Sequence, residues 1–170
     1  CQWAKSLGCK IIGTVGSQEK VSIAKKNGCD LVINYSKENF VKKVMDFTKG
    51  KGVPVVYDGV GAKTFEDSIA CLKNTGMMVS FGNASGPVKN IDVKKHIQPK
   101  SLFFTRPTGG HYFTSEELLA EAAEKFPEYT SFGSHMAKYE SDRMDGTGDV
   151  YHVCGSAWRR DNGTLASNVD

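Results

Sequence analysis

The sequence predicts an α/β chain built on a doubly wound, mostly parallel β-sheet. Two features predict it. Strand-like and helix-like runs take turns along the first two thirds of the chain, with short loops between them. The strand-like runs are apolar on both faces, as strands are when helices cover a parallel sheet from both sides.

The elements follow in order. Residues 1 to 8 read as the tail of an amphipathic helix, with Trp3, Ala4 and Leu7 on one side and Gly8 as its stop. A domain seldom begins inside a helix, so the chain is expected to have lost what preceded it. "KIIGTV" is a strand, and "SQEKVSIAKKNG" a helix that Ser17 can cap and Gly28 can end. "DLVINY" is a strand. "ENFVKKVMDFTKG" is a helix with Phe40, Val41, Val44 and Phe47 on one face. "VPVVYDGV" is a strand, and "AKTFEDSIACLKNTG" a helix with Phe65, Ile69 and Leu72 inside. "MMVSFGN" and "SLFFTRP" complete the strands, and the crossovers are expected to be right-handed.

Two domains of unequal size follow from this rhythm: a nucleotide-binding unit over 1–126 and a divergent segment of unknown role over 127–170. "SEELLAEAAEKF" reads as a helix with Ser115 as cap and Leu118, Leu119 and Ala122 on a face. Beyond it the segment is irregular, offering at most a small β hairpin of "DVYHVCGSAW" and "TLASNV" turned through Asp161, Asn162 and Gly163. "GSHM" at 133–136 matches the residue of tag removal from an expression vector, and marks a candidate artificial junction, chance being the alternative.

Composition removes several classes of function. The net charge of +3 comes from 22 basic and 19 acidic residues that are scattered, not clustered, which argues against a nucleic-acid partner. No apolar run reaches the roughly 18 residues of a membrane span, no signal-peptide pattern opens the chain, and a cytoplasmic location is expected. Cys1, Cys9, Cys29, Cys71 and Cys154 lie far apart without a C-x-x-C pair, so neither a zinc site nor a disulfide framework is indicated. His96, His111, His135 and His152 form no triad spacing with a serine or cysteine, and no side-chain nucleophile is expected.

In an open α/β sheet, ligands bind beyond the carboxyl ends of the strands. The first such end, "GTVGSQEK", offers Gly16 for close approach, the Ser17 hydroxyl and the Lys20 ammonium, a combination that suits a phosphate. The second carries Asn34 and Tyr35, whose ring can lie against adenine. The third is "YDGVG" with Gly59, Val60 and Gly61, and the fourth is "SFGNASG", whose small residues and Asn83 can meet a nicotinamide ribose or its amide. The last contributes Phe104 and Thr105. An enzyme that prefers NAD places an acid at the end of the second strand of its cofactor fold to bond the ribose 2′-hydroxyl. Ser17 and Lys20 stand there instead, which predicts NADPH over NADH, unless Lys20 is merely a solvated first-turn residue.

"CQWAKSLGCKIIGTVGSQEK", "VINY", "VVYDGVG", "MVSFGNASG" and "SLFFTRPT" together resemble the Rossmann-like cofactor domain of the zeta-crystallin-like NADPH:quinone oxidoreductases, the zinc-less branch of the medium-chain dehydrogenase/reductase superfamily. The resemblance covers about residues 1 to 126. It implies metal-free hydride transfer from NADPH to a quinone or related α,β-unsaturated carbonyl. It also implies that Gly16, Ser17 and Lys20 hold the adenosine 2′-phosphate, that Tyr35 lies near adenine, that Phe81, Gly82 and Asn83 line the nicotinamide side, and that a homodimer forms through the Ser101 to Thr105 edge strand. The substrate domain, the first cofactor strand and its glycine loop have no counterpart in the chain, and Arg159 and Arg160 do not match the family's cofactor arginine. The sheet is therefore expected to be incomplete at its N-terminus and the chain alone to be inactive. A non-catalytic nucleotide-binding or dimerisation fragment is the alternative.

Overall fold

The computed structural model describes residues 1–112, 114, 115, 117 and 152–155. The strands are β1 (Ile11–Val15), β2 (Leu31–Asn34), β3 (Val53–Asp58), β4 (Leu72–Ser80) and β5 (Phe103–Thr105), joined by β6 (His152–Gly155). Between them lie α1 (Gln2–Ser6), α2 (Glu19–Lys26), α3 (Phe40–Phe47) and α4 (Phe65–Cys71). The strands make one sheet in the order β2-β1-β6-β3-β4-β5, and every neighbouring pair is parallel.

That order is the 3-2-1-4-5-6 pattern of dinucleotide-binding sheets, with β6 in the place of strand 1. Ile11 to Thr14 pair with His152 to Gly155 on one side, and Val55 to Tyr57 pair with His152 to Cys154 on the other. The expectation of at most a hairpin around "HVCG" is thus corrected. β1 and β3 are buried along their whole length, and the backbone groups they turn towards each other need partners. A parallel strand between them supplies those partners. The "TLASNV" half of the expected hairpin, the helix expected over 115–126 beyond its first residues, and the Gly-Ser-His-Met junction lie outside the described residues.

Side chains alternate between the faces of the sheet. Ile12, Ile33, Val53 and Val56 pack with Phe40 and Val44 of α3 and with Phe65 and Ile69 of α4. Ile11 and Val15 point the other way, into a second cluster with Ala4 of α1 and Ala24 of α2. Helices therefore cover both faces.

The helix ends follow their glycines. Gly8 (φ 80°) and Gly28 (φ 98°) are left-handed, and each closes a double backbone lock. Gly8 and Cys9 donate to Lys5 and Ala4, and Gly28 and Cys29 donate to Lys25 and Ala24. Asn39 caps α3 by accepting the Lys42 N–H at 2.9 Å. Lys100 closes α4, its ammonium donating to the carbonyls of Ile69, Ala70 and Leu72 at 3.3, 2.8 and 2.7 Å.

Four local expectations are corrected. Ser17 does not cap α2: Gln18 holds the N-cap position in helical geometry without a side-chain bond, one residue nearer the helix. Leu7 is 51% and Phe47 39% exposed, because each falls at a helix end where the apolar face has turned off the sheet. Leu72 is buried as the first residue of β4, not as part of a helix, since α4 stops at Cys71 and the chain extends at once.

Candidate functional site

Because the sheet is parallel, the carboxyl ends of β1 to β5 share one edge, and the site residues expected from the sequence fall near that edge, in the strands' last residues, in the loops beyond them or, for Lys20, in the first turn of α2. The β1 and β2 ends are tied together. Tyr35 donates its N–H to Val15 at 3.0 Å, and the Ser36 hydroxyl donates to the Gly16 carbonyl at 2.6 Å. A Cβ on Gly16 would lie 2.8 Å from the Tyr35 hydroxyl. Gly16 thus makes room for the tyrosine, a residue that stays 37% exposed beside the loop.

Ser17 and Lys20 are half-buried beside this loop, Lys20 as the second residue of α2. Lys20 pairs with no carboxylate among the described residues. The acid of the segment, Glu19, is exposed in the first turn. At the β2 end, Asn34 is 3% exposed; its Oδ1 accepts the Ser36 N–H, while its buried Nδ2 has no partner among the described residues.

The β3 and β4 ends interlock. Phe81 and Gly82 donate their N–H groups to the Asp58 carbonyl at 3.0 and 3.3 Å, Ala84 donates to Gly59 at 3.2 Å, and Ala62 donates to Gly86 at 3.0 Å. Ser85 donates twice to the Val60 carbonyl, from its N–H and its hydroxyl, both at 2.7 Å. A Cβ on Gly82 would come within 2.4 Å of the Gly59 oxygen, and one on Gly61 (φ 87°) within 2.5 Å of the Gly86 oxygen. Only glycine permits this backbone-to-backbone contact.

Beneath the interlock sits Asp58, 3% exposed. Its Oδ1 accepts the Val60 and Gly61 N–H groups at 2.8 and 2.9 Å, and its Oδ2 accepts the Thr64 and Ser68 hydroxyls at 2.8 and 2.7 Å. The carboxylate thus fixes the β3 loop and the start of α4 at once. Sequence reading missed this role, although an acid ending an otherwise apolar strand, followed by G-V-G and by hydroxyls six and ten residues on, is a visible signal. It also missed Arg106, whose Nη1 donates to the Ser80 carbonyl at 2.7 Å and brings a cation to the β4 end beside Phe81. Phe104 and Thr105 are half-buried in β5, with Thr105 beside Val79.

The sequence pattern of the zinc-binding dehydrogenases matches residues 1–128. The chain belongs to the zinc-binding dehydrogenase family. Among its curated relatives, this member is 50% identical over 127 residues to a quinone oxidoreductase of Pseudomonas aeruginosa, a match covering 74% of this chain and 39% of that protein. It is 42% identical over 123 residues to a 2-haloacrylate reductase of a Burkholderia species, covering 72% and 37%. Among solved structures it resembles Escherichia coli quinone oxidoreductase complexed with NADPH, with 46% identity and a TM-score of 0.73 over 79% of this chain and 41% of that one. The chain spans about two fifths of the length of these relatives.

The family's name raises zinc. Among the described residues of this zinc-binding dehydrogenase family member, no three His, Cys, Asp or Glu side chains converge where a metal ion could sit. Those residues therefore do not fit a zinc ion. No helix among them is long and apolar enough to cross a membrane.

Proposed function

We propose that the chain forms part of the cofactor domain of an NADPH-dependent reductase acting on quinones or related α,β-unsaturated carbonyls. The observation that carries this reading is the pair at the β1 end. A half-buried Lys20 with no carboxylate partner among the described residues and a half-buried Ser17 that does not cap α2 lie beside a loop narrowed by Tyr35. Such a pair fits a dianionic phosphate, which an acid would repel. The relative solved with NADPH and the relative named for reducing a haloacrylate, a conjugated acid, support the cofactor and the substrate class.

Each residue then has a part. Ser17 and Lys20 hold the 2′-phosphate, with Gly16 giving the loop its close approach, and the Tyr35 ring flanks adenine. The interlocked loops present Val60, Gly61, Phe81, Gly82 and Asn83 as a rigid wall towards the nicotinamide, with Phe104 and Thr105 at its far end. When bound, the reduced nicotinamide supplies the hydride, and the protein supplies position and exclusion of water. The pyrophosphate-binding glycine loop has no counterpart in the sequence, so binding by the chain alone is weak and turnover absent. β5 is the edge of the sheet and Phe103 is 60% exposed on it, which supports a homodimer through 101–105.

Titrating the chain with NADPH and with NADH, following cofactor fluorescence, tests the reading. Weak binding that favours NADPH, without quinone-dependent oxidation, is expected. Equal affinity for the two would remove the role given to Lys20, and tight binding with turnover would overturn the view of the chain as a partial site.

A further inference from the structure

The sulfur atoms of Cys1 and Cys29 lie 3.4 Å apart, 28 residues from each other in the chain, and neither residue is in a disulfide. Cys1 immediately precedes α1 and is half-buried, while Cys29 follows the Gly28 turn that ends α2 and is 8% exposed. The corner that brings them together rests on separate contacts. Lys5 pairs with Asp30 Oδ1 at 2.5 Å, and Asp30 Oδ2 accepts the Ile11 N–H at 2.8 Å. Gly28 lets the Lys5 stem pass where a Cβ would lie 3.1 Å from it. On the sheet side, a Cβ on Gly13 would lie 2.7 Å from the Cys29 sulfur, so the absent side chain is what gives that sulfur its place.

We propose that Cys1 and Cys29 are a redox modification site, oxidised by hydrogen peroxide to a disulfide that staples α1 to the turn between α2 and β2. The Cys1 thiolate, the more accessible of the two, attacks one peroxide oxygen; the O–O bond breaks, hydroxide leaves, and Cys1 becomes a sulfenic acid. The Cys29 sulfur then attacks the Cys1 sulfur, the S–O bond breaks, and water leaves. Two thiols lose two electrons and two protons, and one peroxide becomes two waters. The sulfurs close from 3.4 Å to about 2.05 Å.

As the thiol that meets peroxide first, the other described thiols are poor rivals to the half-buried Cys1. Cys9 belongs to the same apolar cluster but is 7% exposed, and burial pushes its thiol up from the ordinary value. Cys71 is fully buried, and burial with the nearby Asp67 charge pushes it up to about 12.

Treating the reduced full chain with equimolar peroxide, followed by intact mass and mapping of cross-linked peptides, tests the site. The mass is expected to fall by about 2 Da, with the cross-link joining the Cys1 and Cys29 peptides, reversed by dithiothreitol, and with the unfolding temperature raised by about 5 °C in the oxidised form. C1S and C29S should lose the cross-link, and C9S should keep it. Because mapping on the unsubstituted chain needs no variant, a folding defect in C29S leaves the test intact. A cross-link to Cys9, Cys71 or Cys154, a bond between two chains, or oxidation of Cys1 to sulfinic acid without a bridge would each overturn the proposal.

Discussion

The Thr64 hydroxyl donates to Asp58 Oδ2 at 2.8 Å, so the start of α4 hangs from the carboxylate that also orders the Val60 and Gly61 amides. Removing the carboxylate leaves two backbone N–H groups and two hydroxyls without their acceptor. Asp58→Ala is therefore expected to cost about 3 to 5 kcal/mol, and Asp58→Asn only about 1 to 2 kcal/mol. The asparagine oxygen still serves both amides, and its NH2 can donate to hydroxyls that rotate to accept. Urea unfolding of the two variants checks the ranking, and equal losses would show that the carboxylate does not organise the loop.

Gly82 meets Gly59 backbone to backbone, and backbone cannot swing aside as a long side chain can. Gly82→Ala is expected to destabilise by about 2 to 3 kcal/mol and to loosen the wall formed by 81–83. Hydrogen exchange of the Phe81 and Ala84 amides reports the second effect, which is expected to accelerate more than exchange in β1.

On the proposed reading, Lys20 contacts the 2′-phosphate and so bears on cofactor choice. Lys20→Ala is expected to weaken NADPH binding by about tenfold while leaving NADH unchanged, the loss of one charge-assisted phosphate contact. Parallel fluorescence titrations check this. A similar loss for both cofactors would place the effect in the helix and not in a phosphate contact.

Glu66 gives the chain an acid-sensitive latch. Its Oε1 accepts the Lys95 ammonium at 2.6 Å and His96 Nε2 at 3.0 Å. His96 Nδ1 accepts the Asp92 N–H, so Nε2 is the nitrogen that carries the proton and donates. The hydrogen bond from Lys95, and then that from His96, hold the Glu66 carboxyl below its ordinary 4.5. A lowered value in the folded state means stability that is present above about pH 4.5 and is lost as pH falls through the folded value. Glu66→Gln should flatten the stability profile below about pH 4.5, and its effect should be small because the side chain is 59% exposed. Denaturant unfolding between about pH 3 and pH 6 measures it.

Phe103→Glu is expected to leave the fold intact, since the side chain is 60% exposed, and to shift any dimer to monomer in sedimentation. A charge on an edge strand opposes pairing with a second copy. An unchanged sedimentation profile for a dimeric parent chain would exclude β5 as the contact.

Strand and helix identities up to residue 105 were legible because burial on both faces writes itself as an uninterrupted apolar run, as in "VPVVYD", and because Gly8 and Gly28 stand where the helices stop. The strand-end residues were legible for a similar reason, since a parallel sheet collects them on one edge. Ser17 shows the limit at helix starts: its position and Gln18 differ by a single residue, a shift that hydrophobic pattern does not resolve. Asp58 was passed over because its meaning depends on Thr64 and Ser68 turning back towards it, a contact made only once α4 has docked. The place of "HVCG" was illegible for a stronger reason. Four residues carry no register of their own, and only the two ladders facing them select it.

The placing of β6 has a consequence for how the chain is made. In this chain β1 to β5 precede His152, and among the described residues β6 is what joins the two halves of the sheet by hydrogen bonds. Closure waits for a contact between distant stretches of polypeptide, the slowest kind to find. Nascent chains halted before residue 152 should accordingly engage holding chaperones and be cut readily by proteases, whereas chains halted well past Gly155 should resist both.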